Sequence, residues 1–230
     1  MRQFSLLAFG LALSWPAIAS AQKKPNLDGE RIVAEFARCA VRTTPGEAAL
    51  LLETVPGSES ERQKVEDFLI HNFKCLNLGA SPQAQQLSAE VSLGRISAVS
   101  ALSQFSASPT GQQMRLSNRV VRGAVAERVY LDSAKHGPTA TSGAVSDVTG
   151  GPVGYAVVQC AVARDPFSAD RLVRAKRLSP AEQEAAKVLA PSLAACAQGK
   201  GRVDFSGTAI HGWAAEALYK QGRADATKGR

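Results

Sequence analysis

Aromatic residues are scarce, 6% of the 230-residue chain, with two tryptophans and three tyrosines. Strands favour aromatic and β-branched side chains, so this scarcity, together with many alanines, argues against a β-sandwich and for close-packed helices. Beyond the N-terminal segment there is no run of 18 consecutive apolar residues, so a membrane-spanning helix is not expected in the rest of the chain. There is no C-x-x-C, which speaks against a thioredoxin-like redox site. G-x-S-x-G, H-E-x-x-H, Walker A and Rossmann glycine patterns are also missing, which disfavours common hydrolases, zinc proteases and nucleotide enzymes. The three histidines, His71, His136 and His211, are scattered. No Cys/His set has close zinc-ligand spacing, and neither a metal nor a cofactor is expected. The net charge is +7, but no module interleaves aromatic and basic residues, so nucleic acid is not an expected partner.

The first 22 residues, "MRQFSLLAFGLALSWPAIASAQ", combine a basic start at Arg2 with an apolar run from Phe4 to Leu13. Ala19 and Ala21 then offer an A-x-A cleavage site. That layout predicts a secretory signal over residues 1–21 and a periplasmic or secreted mature protein. Export permits disulfides, and four cysteines is an even number.

Those cysteines reveal an internal repeat. Cys39 and Cys75 are 36 residues apart, as are Cys160 and Cys196. Sliding the chain by 121 residues aligns 39–75 with 160–196 without a gap, with nine of the 37 positions identical. Thr44-Pro45 and Asp165-Pro166 each place a helix-capping residue before a proline that suits the first helical position. Ser58-x-x-Glu61 and Ser179-x-x-Glu182 read as capping boxes. Helices are therefore expected to begin near residues 45, 59, 166 and 180. The segment 153–163 has strand-like composition, but its partner at 32–42 has helical spacing, so both are expected to be helices. A second match, at an offset of 89, pairs "RGAVAERVY" at 122–130 with "HGWAAEALY" at 211–219. The drop in offset marks a 32-residue insertion within 77–118 of the first copy. A helix is expected there from about residue 81, with Leu87, Val91, Ile96, Val99 and Leu102 on its apolar side.

These features predict an all-α protein of two tandem homologous units with about four helices each. The first spans 22–131 and the second 153–220, joined by a Gly/Pro/Ser-rich linker at 132–152 and followed by a loose tail at 221–230. Four cysteines allow three pairings. Duplication favours Cys39–Cys75 and Cys160–Cys196, each closing a loop worth about 4 kcal/mol by chain entropy. With its signal segment, paired cysteines and repeated G-x-x-A-E-x-x-Y, the chain resembles small exported proteins of Gram-negative bacteria, a resemblance that implies no particular activity.

Two groups of residues are candidates for function. Glu127 with Tyr130, and Glu216 with Tyr219, share the repeated pattern at a helical spacing of three. They could serve proton transfer, or merely pin helices together. Arg171, Arg174, Lys176 and Arg177 form the densest basic patch, suited to an anionic envelope component or an anionic membrane surface; another envelope protein is the alternative partner. The leading expectation is a non-enzymatic periplasmic binding or structural protein. The alternatives are a cell-envelope hydrolase or lyase using Glu127 or Glu216, and a membrane-surface adaptor using the basic patch. Trp213, which replaces Ala124, and nearby His211 mark a further difference between the copies.

Overall fold

A computed structural model of the chain describes residues 27–76, 86, 89–97, 100, 117–134, 151–201, 203 and 205–228. The expected signal segment, most of the expected insertion and most of the expected linker lie outside the described residues, as do Leu87, Val99 and Leu102. The helices are α1 (Leu27–Thr43), α2 (Pro45–Glu53), α3 (Glu59–His71), α4 (Asn118–Ser133), α5 (Val153–Arg164), α6 (Pro166–Arg174), α7 (Pro180–Ala197) and α8 (Gly207–Lys228). A short 3-10 turn, Phe73–Cys75, follows α3. Among the described residues there is no strand.

Local chemistry starts these helices where the sequence indicates. Ser58 Oγ accepts from Glu61 N at 3.1 Å, and Ser179 Oγ accepts from Glu182 N at 3.2 Å. The two glutamates reach back one residue further than a capping box requires, accepting from the amides of Gly57 and Leu178. Both of those residues have left-handed backbone, with φ of 81° and 60°. Glycine suits that conformation, whereas leucine adopts it at a steric cost. At the proline-started helices, Asp165 Oδ1 accepts from Ser168 N at 3.0 Å. Thr44 departs from the expected capping role. Its hydroxyl donates to Ala40 O at 3.2 Å and accepts from Asn72 Nδ2 at 2.9 Å, tying the junction of α1 and α2 to the end of α3.

The disulfides join Cys39 to Cys75 and Cys160 to Cys196. The first links α1 to the 3-10 turn rather than to a second α-helix; the second links α5 to α7. Segment 153–163 is helical despite its valines, because Val157, Val158 and Val162 are all buried on α5. Tertiary burial here overrides a weak intrinsic preference. Within the insertion, Val91 is buried and Ile96 is packed against the first core.

Two hydrophobic cores are present. One gathers Phe36, Leu51, Val65, Phe68, Leu69 and Val125 from α1 to α4. The other gathers Tyr155, Val158, Leu172, Leu189, Trp213 and Leu218 from α5 to α8, and also takes Ala126 and Tyr130 from α4. Helix α4 thus belongs to both, and its packing against α8 is the most extensive helix pairing. Two boundaries differ from expectation. Helix α4 continues to Ser133, past the expected start of the linker. Helix α8 continues to Lys228, through residues expected to be loose. That stretch is rich in Ala, Gln, Lys and Arg, which favour helix, and Gln221 is buried.

The α4–α8 crossing depends on two glycines. A Cβ on Gly212 would lie 2.6 Å from Gly123 Cα, and one on Gly123 would lie 3.2 Å from Gly212 Cα. The obstruction is backbone, which cannot swing aside. Gly212→Ala should therefore cost about 1–3 kcal/mol through forced separation of the helices. Gly46→Ala, where an added Cβ meets nothing within 4 Å, should be neutral or stabilise by up to about 1 kcal/mol. Urea denaturation of both variants checks this; equal stabilities would contradict the close crossing.

Candidate functional site

Beside the glycine crossing, the residues preceding the glycines, Arg122 and His211, point across to the other helix. Arg122 is 1% exposed. Its Nε donates to Glu216 Oε2 at 2.8 Å and its Nη2 to Glu216 Oε1 at 2.7 Å, a bidentate pair from α4 to α8. The same guanidinium donates to Leu51 O at 3.0 Å, Leu52 O at 3.1 Å and Thr54 O at 2.8 Å. It thereby supplies donors to carbonyls at the C-terminal end of α2, of which Leu51 O also accepts from Thr54 N at 3.3 Å. Glu61 Oε1 lies 3.7 Å away.

Glu216 is also 1% exposed, and its oxygens are well supplied with donors. Besides Arg122, Tyr155 Oη and Lys220 Nζ each donate to Oε1 at 2.7 Å. Burial disfavours its charge, but the hydrogen bonds and charge of Arg122, joined by Lys220, outweigh it and hold this carboxyl below its ordinary range. Burial, reinforced by the Glu216 charge, raises the Tyr155 phenol far above its ordinary value, so it remains a hydrogen-bond donor.

The other side of the crossing has a looser arrangement. His211 is fully buried, with Nδ1 2.9 Å from Glu182 Oε1. A carboxylate only accepts, so Nδ1 carries the proton. Burial opposes the Glu182 charge, but the His211 hydrogen bond and the Leu178 amide outweigh it and lower its pKa. Among the described residues His211 Nε2 has no hydrogen-bond partner, and it lies 3.5 Å from Glu127 Oε2. Glu127 Oε2 accepts from Arg177 Nε at 2.8 Å and Nη2 at 2.6 Å. Glu127 also lines a cavity of about 80 Å³ beside α1, with Ala34, Arg38, Ala124, Arg128 and Arg177 around it.

The tyrosines of the two repeated patterns have partners of their own. Tyr130 is buried, and its hydroxyl donates to Asp170 Oδ1 at 2.5 Å. Tyr219 is half-buried, with the Arg223 guanidinium 5.9 Å from its ring centre. Each tyrosine therefore anchors away from the glutamate three residues before it. In the basic patch, Arg174 is held by Asp170 at 2.7 Å and Arg177 by Glu127, while Arg171 and Lys176 are exposed. Trp213 is 4% exposed and packs edge-to-face with Tyr155 at 6.2 Å between ring centres. The guanidinium of Arg119 stands 5.0 Å from the Trp213 ring centre.

The two glutamates were legible in the sequence, but Arg122, Tyr155 and Lys220 as partners of Glu216, and Arg177 as the partner of Glu127, were not. Lys220 carried a usable signal, since it follows Glu216 at a helical spacing of four. Glu61 and Glu182 were legible as caps, not as partners of the crossing. Among the described residues, no group of three His, Cys, Asp or Glu side chains could hold a metal ion. Comparison with protein-family models, curated proteins and solved structures found no match.

Because the Glu216 pKa is lowered on folding, its contribution to stability is present above its unfolded value, about 4.3, and is lost as pH falls through the folded value. Glu216→Gln leaves the buried Arg122 with only the more distant Glu61 carboxylate and should cost about 3 kcal/mol at pH 7. The gap between wild type and variant should narrow below about pH 4. Denaturation midpoints from pH 3 to 7 test this; a pH-independent gap would contradict an ionised, paired Glu216.

Proposed function

We propose that this is an exported, periplasmic, non-enzymatic binding protein made of two copies of one disulfide-stapled helical unit. The duplication is supported by matched local chemistry at the 121-residue offset. The two serine caps, the two left-handed residues Gly57 and Leu178, and the two disulfides correspond. At the 89-residue offset, Arg122 corresponds to His211 and Glu127 to Glu216. Each cation or imidazole lies near the glutamate of the opposite copy, as expected of two related units facing one another. Export is supported by the signal-like first 22 residues and by the two disulfides.

The burial of Glu216 carries the non-enzymatic reading. A general acid or base must reach substrate and exchange a proton with it. Glu216 is 1% exposed and is engaged by Arg122, Tyr155 and Lys220, so it serves to hold helices. Glu127 is tied to Arg177 but borders the cavity, which makes that cavity the ligand site in this reading. The basic patch is less suited to a membrane surface, because Arg174 and Arg177 are already paired with carboxylates of the chain.

Incubating the oxidised protein with purified cell-wall sacculi tests this reading. No soluble fragments should appear. Release of fragments that is abolished by Glu127→Gln, with the melting temperature of that variant unchanged, would establish catalysis and overturn the proposal.

A further inference from the structure

The two sides of the α4–α8 crossing are filled differently. On the Glu216 side, Tyr155 and Trp213 occupy the space with two aromatic rings, and the Tyr155 hydroxyl donates to the carboxylate. At the same offsets, the Glu127 side has Ala34 in place of Tyr155 and Ala124 in place of Trp213. These two alanines line the cavity of about 80 Å³. The space that one side fills with its own aromatic rings is therefore open on the other.

The polar groups around the cavity are specific to this side. Arg38 stands where the second copy has Gln159, Arg128 where it has Ala217, and Arg177 where the first copy has Pro56. Three guanidinium groups thus surround a cavity lined by one carboxylate, Glu127. Arg177 is occupied by Glu127 and Arg128 lies 2.7 Å from Asp132, while Arg38 is exposed. All the contacts of Glu127 to described residues run through Oε2. Its counterpart Glu216 accepts, in addition to its cations, one aromatic hydroxyl.

We propose that this cavity binds a small aromatic acid bearing a ring hydroxyl. The ring takes the space that Tyr155 takes on the other side, the hydroxyl donates to Glu127 Oε1, and the acid group meets Arg38 and Arg128. At about 80 Å³ the cavity is about half of the roughly 150 Å³ that encloses benzene completely, so a single ring would be held only in part. The inference rests on the non-enzymatic, duplicated-unit reading above and gives its ligand a chemical class.

Calorimetric titration of the full oxidised protein with 4-hydroxyphenylacetate tests it. Phenylacetate lacks the hydroxyl and 2-(4-hydroxyphenyl)ethanol lacks the acid. Each should bind at least about tenfold more weakly, as expected when a site's hydrogen-bonding or charged group is left without its partner. Ala34→Tyr, a change at an exposed position, should abolish binding by filling the cavity. Arg38→Ala, also at the surface, should weaken the acid about tenfold without affecting the alcohol and serves if the tyrosine variant does not fold. Absence of binding by all three probes, or binding indifferent to both variants, would overturn the site. Conversion of the probe to a new species, followed by NMR over a day, would instead contradict the non-enzymatic reading.

Discussion

A buried arginine–glutamate pair lies where the two halves of this protein meet. Arg122 and Glu216 are each about 1% exposed and joined by two hydrogen bonds. Removing such charges from water is costly, and mutual attraction offsets the cost only where the remaining donors and acceptors are satisfied. They are satisfied here by neighbours from several elements: the carbonyls closing α2, the Tyr155 hydroxyl from α5, and Lys220 one turn further along α8. One guanidinium therefore fixes the end of α2, the path of α4 and the rotation of α8 together. The glycine contact makes this geometry possible, because a side chain at Gly212 would push the helices apart and pull Arg122 from its partner.

The crossing has a second side, and the contrast between the two suggests a division of labour. On the Glu216 side, polar groups are saturated and the space is filled by aromatic rings, which suits a structural joint. On the Glu127 side, the arginine is replaced by His211, whose Nε2 has no hydrogen-bond partner among the described residues, the rings are replaced by alanines, and arginines border an open cavity. In the proposed duplicated architecture, one joint stabilises the pairing and its counterpart is left free to bind. A small helical protein can hold such an open site because each half is also stapled by a disulfide.

Helix starts were legible in the sequence where local chemistry dictates them, at Ser58, Ser179 and Asp165, whose side chains accept from nearby amides. The disulfide pairing was legible because equal spacing repeats across the chain. Thr44 holds the expected cap position before Pro45, but its side chain makes no cap bond, because a buried Asn72, 28 residues away, recruits its hydroxyl. The far end of α8 was misread because its polar composition resembled a tail, although most residues there favour helix. The site was half legible. Glu127 and Glu216 stood out by repetition, yet Arg177 and Arg122 reach them from 50 and 94 residues away, while Lys220, four residues from Glu216, is local. No local spacing announces the contacts of Arg177 and Arg122.

The account requires that Arg122 and Glu216 act as one unit across the joint. A double-mutant cycle with Arg122→Met, Glu216→Leu and the combined variant, followed by urea denaturation at pH 7, measures this directly. Each single change leaves a buried polar group stranded, so the combined variant should be more stable than the sum of the two losses implies. A favourable coupling of at least about 1.5 kcal/mol is predicted. Losses that add to within about 0.5 kcal/mol would mean that the two residues do not hold each other, and that the halves are joined by something else.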